Sequence, residues 1–414
     1  MLCVRPSVTR DWFLRFSSCG RLLVTAALAT ALVLCCSKSA HASGFSITVE
    51  QLTTNSTVDQ MPQVWGSNIA WQGVGGSDSG TDNEIFFYDG STISQLTVNT
   101  VHDLNPRISS AGVLWERGAG TAAEIIFHDG VSETPLTSNA VADTATFMSG
   151  NLATWVQGGG TAQDVMLWDG NAVTNLTASL GAGVVDRLPH TDGSSVVWMR
   201  GSTPNSSIML YDGSTISTVA TSTRALEDPK VDGEYIVWEG FKGATTNDRE
   251  IYLYDGDSVV QLTDDAFPNF DPQISGHRVV WWGGVFNNFH IFMYDILTDT
   301  YSTLFSAPVA QFPQIDGDFV VWQARLDGET DTEIFLWDGQ QVHRVTDNAF
   351  NDSNARISGN HIVWQGQAPT SIEIFHATFV VPEPHGLVLA AIGAGLALVG
   401  AVRYRRRAPA HRED

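Results

Sequence analysis

Short apolar runs alternate with polar residues along most of this 414-residue chain. The runs are rich in valine, isoleucine, phenylalanine and tryptophan, and Ser-Gly or Asp-Gly pairs separate them, a pattern typical of β-strands joined by tight turns. Between residues 46 and 379 no window keeps an apolar period of 3.6 long enough for a globular helix. The pattern therefore predicts an all-β fold.

One unit of this pattern repeats eight times. It reads approximately P-x-I-x-G-x-x-V-V-W, then a variable loop, then E-I-F-L-Y-D-G and x-Q-L-T. A period of about 40 residues predicts stacked or radially arranged units, and four short strands per repeat predict the blades of a β-propeller. We expect the tryptophan of each repeat to pack between blades: Trp71, Trp115, Trp155, Trp198, Trp238, Trp281, Trp322 and Trp364.

The sixth repeat shows how the strands are predicted. The first would run from Pro272 to Ser275, the second from Arg278 to Trp282, the third from His290 to Tyr294, and the fourth would precede Thr303. An aspartate before glycine follows the third strand in six repeats, and each is expected to bond its own turn backbone. These are Asp89, Asp129, Asp169, Asp212, Asp255 and Asp338.

The two ends of the repeat region complement each other. The eighth repeat has no fourth strand, whereas a lone strand, Ser46 to Thr53, ends in Gln-Leu-Thr ahead of the first complete repeat. Pairing these pieces would close the ring and remove an open edge. The sequence thus predicts eight four-stranded antiparallel blades over residues 44–379, closed by one N-terminal and three C-terminal strands. A seven-bladed ring with one degenerate repeat outside it is the alternative.

The N-terminus has the features of a secretory signal peptide over residues 1–43. A basic segment precedes the apolar run LLVTAALATALVLCC, and Ala40-His41-Ala42 fits a small-x-small cleavage pattern. All four cysteines lie in this segment: Cys3, Cys19, Cys35 and Cys36. The mature protein would therefore contain no disulfide, thiolate nucleophile or cysteine metal site.

The C-terminus, residues 380–414, carries an apolar stretch from Gly386 to Val402 that is followed by arginines. Its 17 residues are at the lower limit for a transmembrane helix, and the arginines place its C-terminal end in the cytoplasm. The repeats would then lie outside the cytoplasm. The elements of this segment are the motif Pro382, Glu383, Pro384, the apolar helix 386–402, and the cluster Arg403, Arg405, Arg406, Arg407.

That order of elements resembles the PEP-CTERM sorting signal of Gram-negative bacteria. The resemblance implies processing near the motif by an exosortase, an integral-membrane cysteine protease. It also implies that the protein is anchored in the inner membrane with its propeller in the periplasm before processing, and then reaches the cell surface or the exopolysaccharide matrix. The structural alternative is an ordinary C-terminal membrane anchor after a proline linker.

The repeat itself resembles those of TolB-like periplasmic propellers. The resemblance rests on Glu250-Ile251-Tyr252-Leu253-Tyr254-Asp255-Gly256 followed by Gln261-Leu262-Thr263. This chain departs from the usual Pro-Asp-Gly after the first strand, because it has Ser-Gly or Asp-Gly there, as at Asp232-Gly233. Propellers support many unrelated functions, so the fold does not identify the function.

Five aspartates recur in the segment that leads into the innermost strand of a blade. Such segments surround one mouth of a propeller channel, so the carboxylates would converge there and bind calcium or another hard cation. The alternative is that each aspartate caps its own loop. The five candidates for binding at the channel mouth are Asp59, Asp103, Asp143, Asp186 and Asp352.

Charge and motifs restrict the function further. Residues 44–379 contain 12 lysines and arginines against 41 aspartates and glutamates, a net charge of −29. Such a surface repels nucleic acid and anionic lipid. No nucleophile elbow, zinc-protease motif, P-loop or dinucleotide fingerprint is present, and no catalytic residue is assigned. The sequence favours an exported, non-catalytic protein that binds polysaccharide, protein or cations; the alternative is a secreted carbohydrate-active hydrolase or lyase.

Overall fold

The computed structural model describes residues 44–381, apart from residues 76–79, 119, 182, 203 and 244–247. In this part of the chain, β-strands form eight four-stranded sheets, and two short 3-10 turns cover Gly120–Ala122 and Ala178–Leu180. None of the described residues belongs to a helix long and apolar enough to span a membrane. The predicted signal peptide and the entire sorting segment, from Pro382 onwards, lie outside the described residues.

The strands follow one another blade by blade, and β1 (Ser46–Gln51) belongs to the last blade. Blades 1 and 2 contain β2 (Asp59–Trp65), β3 (Asn68–Val74), β4 (Asn83–Tyr88), β5 (Ile93–Gln95), β6 (Asp103–Ser109), β7 (Gly112–Arg117), β8 (Glu124–His128) and β9 (Glu133–Pro135). Blades 3 and 4 contain β10 (Asp143–Ser149), β11 (Leu152–Gly159), β12 (Ala162–Trp168), β13 (Val173–Asn175), β14 (Asp186–Thr191), β15 (Val196–Ser202), β16 (Asn205–Tyr211) and β17 (Ile216–Ser222).

The second half of the ring is built in the same way. Blades 5 and 6 contain β18 (Leu226–Asp232), β19 (Tyr235–Phe241), β20 (Arg249–Tyr254), β21 (Val259–Gln261), β22 (Asn269–Ser275), β23 (Arg278–Val285), β24 (Asn288–Asp295) and β25 (Thr300–Ala307). Blades 7 and 8 contain β26 (Val309–Asp316), β27 (Phe319–Arg325), β28 (Glu333–Trp337), β29 (Val342–Arg344), β30 (Asp352–Ser358), β31 (His361–Gln367) and β32 (Ile372–Val380).

The ring is closed by the pairing of its two ends. Strand β1 pairs antiparallel with β32, with Ser46 opposite Val380 and Gln51 opposite Phe375. The backbone N–H of Ile374 also donates to the hydroxyl of Thr53, at 2.9 Å. The prediction of eight antiparallel blades closed by one N-terminal and three C-terminal strands is confirmed, and the seven-bladed alternative is wrong.

The eight repeated tryptophans form the core between the blades. Each lies on the second strand of its blade and is at most 1% exposed. Trp155 of blade 3, for example, packs against Leu114 and Phe127 of blade 2. Burial of an aromatic side chain of this size contributes about 1.5–3 kcal/mol. The prediction that these residues pack between blades is confirmed.

The aspartates before glycine stabilise the turns after the third strands. Oδ1 of Asp89 accepts hydrogen bonds from the backbone N–H groups of Ser91 and Thr92, each at 2.8 Å. Equivalent bonds form at the other five predicted positions. The structural role predicted for this set is confirmed.

A bulge near the start of each innermost strand was not predicted. In β2 the pairing register with β3 shifts between Gln60 and Gln63, and the residue inside the bulge has a positive φ. All eight blades repeat this conformation with φ between 51° and 57°: Met61, Asn105, Ala145, Leu188, Asp228, Asp271, Phe312 and Asn354. Left-handed backbone is unfavourable for residues other than glycine, so neighbouring groups must hold it.

Side chains of the preceding blade hold several of these bulges. Oε1 of Gln72 accepts from the backbone N–H of Asn105 at 2.8 Å, and Oε1 of Gln365 accepts from Met61 at 3.1 Å. Both glutamines directly follow a core tryptophan. Because pairing continues on both sides of the bulge, the innermost strand of blade 6 begins at Asn269, three residues before the predicted start at Pro272.

Candidate functional site

The five predicted aspartates each occupy the first position of an innermost strand. All are at most 2% exposed, and each carboxylate accepts a hydrogen bond from the core tryptophan of its own blade. The Nε1-to-Oδ1 distances are 3.0 Å for Trp71 and Asp59, 2.8 Å for Trp115 and Asp103, 2.9 Å for Trp155 and Asp143, 2.8 Å for Trp198 and Asp186, and 3.0 Å for Trp364 and Asp352. The structure therefore places each of the five carboxylates against the core tryptophan of its own blade.

Further donors surround these carboxylates. Nδ2 of Asn55 donates to Oδ2 of Asp59 at 2.7 Å, and the guanidinium of Arg117 binds Asp103 at 2.8 Å. Burial nevertheless raises the pKa of Asp59 and Asp186 above the usual value. No group of three or more histidine, aspartate or glutamate side chains is placed to hold a metal ion in the part of the chain that the structure describes.

The central channel is the cavity that all eight blades build together. Its volume is about 430 Å³, within the range of about 300–1,000 Å³ of ligand pockets. Most of its lining comes from the bulge residues and from the residues two positions further along each strand. This second ring consists of Gln63, Arg107, Phe147, His190, Lys230, Gln273, Gln314 and Arg356.

One wall of the channel presents hydrogen-bond donors and positive charge. Arg356, Gln63 and Arg107 lie on the three consecutive blades 8, 1 and 2. Nε of Arg107 donates to the carbonyl of Thr146 at 2.8 Å, and Nη1 of Arg356 donates to the carbonyl of Ala355 at 3.0 Å. These backbone bonds hold both guanidinium groups and leave other N–H groups for the channel.

Neither guanidinium has a carboxylate oxygen within 4.0 Å among the described residues. By contrast, Arg117, Arg200 and Arg249, which lie elsewhere in the propeller, each form an ion pair. Burial, and then repulsion from Arg356, lowers the pKa of Arg107 to about 10, and burial also lowers the pKa of Arg356. Arg107 therefore stays charged at neutral pH.

The opposite wall carries the acidic groups of the channel. Lys230 is hydrogen-bonded to Asp228 on the same strand, and Nε2 of Gln273 donates to Oδ1 of Asp271 at 2.8 Å. Burial raises the pKa of Asp271 to about 6, and the neighbouring Asp228 adds to this effect, whereas Lys230 and Arg356 oppose it. The channel thus has one cationic wall, on blades 8, 1 and 2, and one wall of mixed charge, on blades 5 and 6.

His190 lines the channel as a neutral group. Burial, and then the positive charges of Lys230 and Arg107, lowers its pKa well below the usual value. Its Nδ1 accepts from the backbone N–H of Val231 at 3.3 Å, so the proton of the neutral ring is on Nε2. His190 therefore offers the channel a hydrogen-bond donor rather than a base.

A regular strand pattern does not predict this channel lining, because the bulge changes the phase of each innermost strand. Strict alternation would place Asp59, Met61 and Gln63 on one face, but Asp59 is buried beside Trp71 while Met61 and Gln63 are partly exposed. The visible signal was the spacing of three between buried residues, as from Asp59 to Pro62. Such spacing does not fit a regular strand and indicates an inserted residue.

Comparison with known proteins adds information on the fold alone. No protein-family model matches the sequence, and no curated protein matches it. Similar solved structures include an oligogalacturonate lyase in complex with manganese, with a TM-score of 0.51, 13% identity, and coverage of 82% of this chain and 97% of the lyase.

Two other similar structures are a designed protein and a peptidase. The computationally designed Ika8 protein has a TM-score of 0.53 and 14% identity over 79% of this chain and 98% of its own. A puromycin-hydrolyzing peptidase of Mycobacterium tuberculosis has a TM-score of 0.50 and 15% identity over 79% of this chain and 59% of the peptidase. At these identities the likeness establishes the propeller fold.

Proposed function

We propose that this protein is an exported, non-catalytic propeller of the cell surface or extracellular matrix that binds a carboxylated sugar in its channel. The observation that carries the proposal is the wall formed by Arg356, Gln63 and Arg107. Two guanidinium groups that have no ion-pair partner among the described residues flank an amide there, and arginine's planar donors match the geometry of a carboxylate.

The charge of the remaining surface defines which ligands can reach this wall. Residues 44–379 carry a net charge of −29, so a long polyanion would be repelled over most of the propeller. A monosaccharide, or the end of a chain with few charges, would meet less repulsion and enter the channel. Asn354 and the N–H of His190 add groups suited to hydroxyls. We therefore expect a uronic acid unit as the ligand.

Titration calorimetry of the purified full-length chain with galacturonate and glucuronate tests this proposal. We expect saturable binding that weakens at high salt, because ions screen the attraction. Arg107→Gln and Arg356→Gln should each weaken it about tenfold or more, since each removes one charged partner. Arg224→Gln is the matched control, because Arg224 is exposed and outside the channel. Absence of binding, or equal effects of all three substitutions, would overturn the proposal.

Export and sorting are proposed from the terminal segments. The signal peptide would direct the chain out of the cytoplasm, and an exosortase would process it near Pro382-Glu383-Pro384. Mass spectrometry of the protein from the surface fraction should find a C-terminus near this motif. A variant in which Arg403, Arg405, Arg406 and Arg407 are replaced by serine should accumulate unprocessed. Detection of the complete C-terminus in the surface fraction would favour a plain membrane anchor.

A secreted hydrolase or lyase is the second candidate function. The similarity in fold to an oligogalacturonate lyase makes oligogalacturonate the first substrate to assay. Ultraviolet absorbance would detect the unsaturated product of a lyase, and new reducing ends would detect either activity. Turnover that is lost in Asp271→Asn, with binding retained, would favour this candidate. Substitution of Asp103 or Asp186 is less informative, because each supports a core tryptophan.

A further inference from the structure

A second cavity lies between blades 1 and 2, away from the channel. Its volume is about 390 Å³, and it is lined by the turns that connect the first and second strands and the third and fourth strands of these blades. Trp65 lies in its wall with 44% of its surface exposed, whereas the eight core tryptophans are at most 1% exposed. Trp65 is thus available to a ligand.

The cavity coincides with a local departure from the repeat. In seven blades the turn after the first strand contains a glycine with positive φ, but blade 2 has Ser110 there and its positive φ falls at Gly112. At the position of Trp65 the other blades have serine or aspartate. The junction between blades 1 and 2 therefore lacks both the serine or aspartate on one blade and the turn glycine on the next.

At most junctions these two positions bond neighbouring blades together. The side chain of one blade accepts from the turn glycine N–H of the next at 2.9 Å for Asp192 and Gly233, 2.6 Å for Asp232 and Gly276, 3.0 Å for Ser275 and Gly317, 2.6 Å for Asp316 and Gly359, and 3.0 Å for Ser358 and Gly66. An indole at position 65 cannot accept such a bond. Such a bond is therefore missing between Trp65 and the turn of blade 2, where the cavity lies.

The neighbouring side chains leave the opening unfilled. Arg278 and Asp318 form an ion pair across junction 6–7, and Phe319 packs on Phe379 across junction 7–8 with ring centroids 4.9 Å apart. The equivalent residues at junction 1–2 include Asn68 and Ala111, which are too short to meet.

The cavity combines an aromatic surface with polar hydrogen-bond donors and acceptors. Nδ1 of His128 accepts from the backbone N–H of Gly130 at 3.0 Å, so the neutral ring carries its proton on Nε2, which has no partner among the described residues. The side chains of Asn68 and Ser110 also form no hydrogen bond to a described residue. Asp89 and Asp129 add carboxylates, and none of the described residues of the lining is a lysine or arginine.

We infer that this cavity, which we call the blade 1–2 cleft, binds a neutral sugar unit of a glycan. The apolar C–H face of a pyranose packs by dispersion on a flat indole, and its hydroxyls require both donors and acceptors at the edge of the ring. Trp65 supplies the flat surface. The donors and acceptors come from Asn68, Ser110, His128 and Asp129. The two carboxylates and the lack of cations in the described lining select against uronic acids. The inference does not depend on the function proposed for the channel.

Calorimetry of the full-length chain with neutral trisaccharides of glucose, galactose and mannose tests the inference. We expect saturable binding of at least one of them. Trp65→Ala should weaken it about tenfold or more, and Trp65→Phe should retain part of it because a flat ring remains. Phe286→Ala is the control, since Phe286 is 92% exposed and lies outside the cleft. It should leave the affinity unchanged.

A variant that restores the repeat supplies a second test. Trp65→Ser combined with Ser110→Gly places the residue types of the other blades at both positions and should close the cleft. We expect this variant to keep its melting temperature and to lose binding of the trisaccharide. Arg107→Gln in the channel should not change that binding. The inference would be contradicted if no trisaccharide bound. It would also be contradicted if binding survived in both Trp65→Ala and the restoring variant.

Discussion

Trp71 donates its indole N–H to the carboxylate of Asp59 across 3.0 Å, and the amide of Asn55 donates to the second carboxylate oxygen at 2.7 Å. Blade 6 contains the same arrangement with the two polar residues exchanged. There Asn269 accepts from Trp281 at 3.0 Å and donates to Asp265 at 3.2 Å. One aspartate and one asparagine thus satisfy the tryptophan in either order.

The exchange in blade 6 predicts how substitutions in blade 1 combine. Asp59→Ala should lower the free energy of unfolding by about 1–3 kcal/mol, because it leaves the buried indole N–H unpaired. Asp59→Asn keeps the bond to the indole, but its amide nitrogen would face the amide nitrogen of Asn55. The free energy of unfolding should therefore fall by about 1 kcal/mol. Asn55→Asp with Asp59→Asn should recover it. Urea denaturation of the parent and the three variants gives these differences. Equal stability of Asp59→Asn and of the double variant would contradict the prediction.

Gly73 lies opposite Asp59 in the strand pairing, and a Cβ atom there would overlap Oδ1 of Asp59. Gly73→Ala should therefore displace the carboxylate and destabilise the protein by about 1–3 kcal/mol. Blade 7 has alanine at both equivalent positions, Ala310 and Ala324. The effect of Gly73→Ala should accordingly be smaller, by about 1 kcal/mol, in the Asp59→Ala background. A double-mutant cycle measures this coupling, and strictly additive effects would show that the two residues do not interact.

The closing strand β1 supplies the outer edge of blade 8. Without residues 44–53, β32 would expose its backbone groups, and the bond between Glu50 and His376, 2.8 Å long, would be lost. We expect the truncated protein to associate, which light scattering after gel filtration would detect. A synthetic peptide of residues 44–54 should restore the monomer by strand addition, and a scrambled peptide should not. A truncated protein that stays monomeric and equally stable would show that β1 is dispensable for closure.

The sequence contained enough information for the ring but not for its channel. The spacing of the tryptophans and the lone strand ending in Thr53 are local signals, and both predicted the eight closed blades. The channel wall depends on Arg107 and Arg356, which are far apart in sequence and become neighbours through ring closure. Asp59 and its equivalents are buried and bonded to the core tryptophans, which their sequence positions alone did not predict. The spacing of three from Asp59 to Pro62 can be read from the sequence. It does not show which residue forms the bulge of the innermost strand.

The raised pKa of Asp271 makes the stability of the protein depend on pH. A carboxyl whose pKa rises on folding, here from 3.8 to about 6, destabilises the folded state increasingly as the pH rises through that interval. Asp271→Asn removes this effect. The variant should be more stable than the parent by on the order of 1–2 kcal/mol above pH 7 and equal to it below pH 4. Thermal melts between pH 4 and 8 give the comparison, with the exposed Asp257→Asn as a control.

The same ionisation should act on the proposed ligand. Asp271 faces the channel that Arg356 lines, so its negative charge above pH 6 opposes a carboxylate bound at the cationic wall. Uronate affinity should therefore fall as the pH rises from 5 to 8, while the ligand itself stays ionised. Asp271→Asn should bind with an affinity that is nearly constant over this interval, and Asp257→Asn should keep the slope of the parent. If the slope persists in Asp271→Asn, the ligand does not occupy the channel next to Arg356.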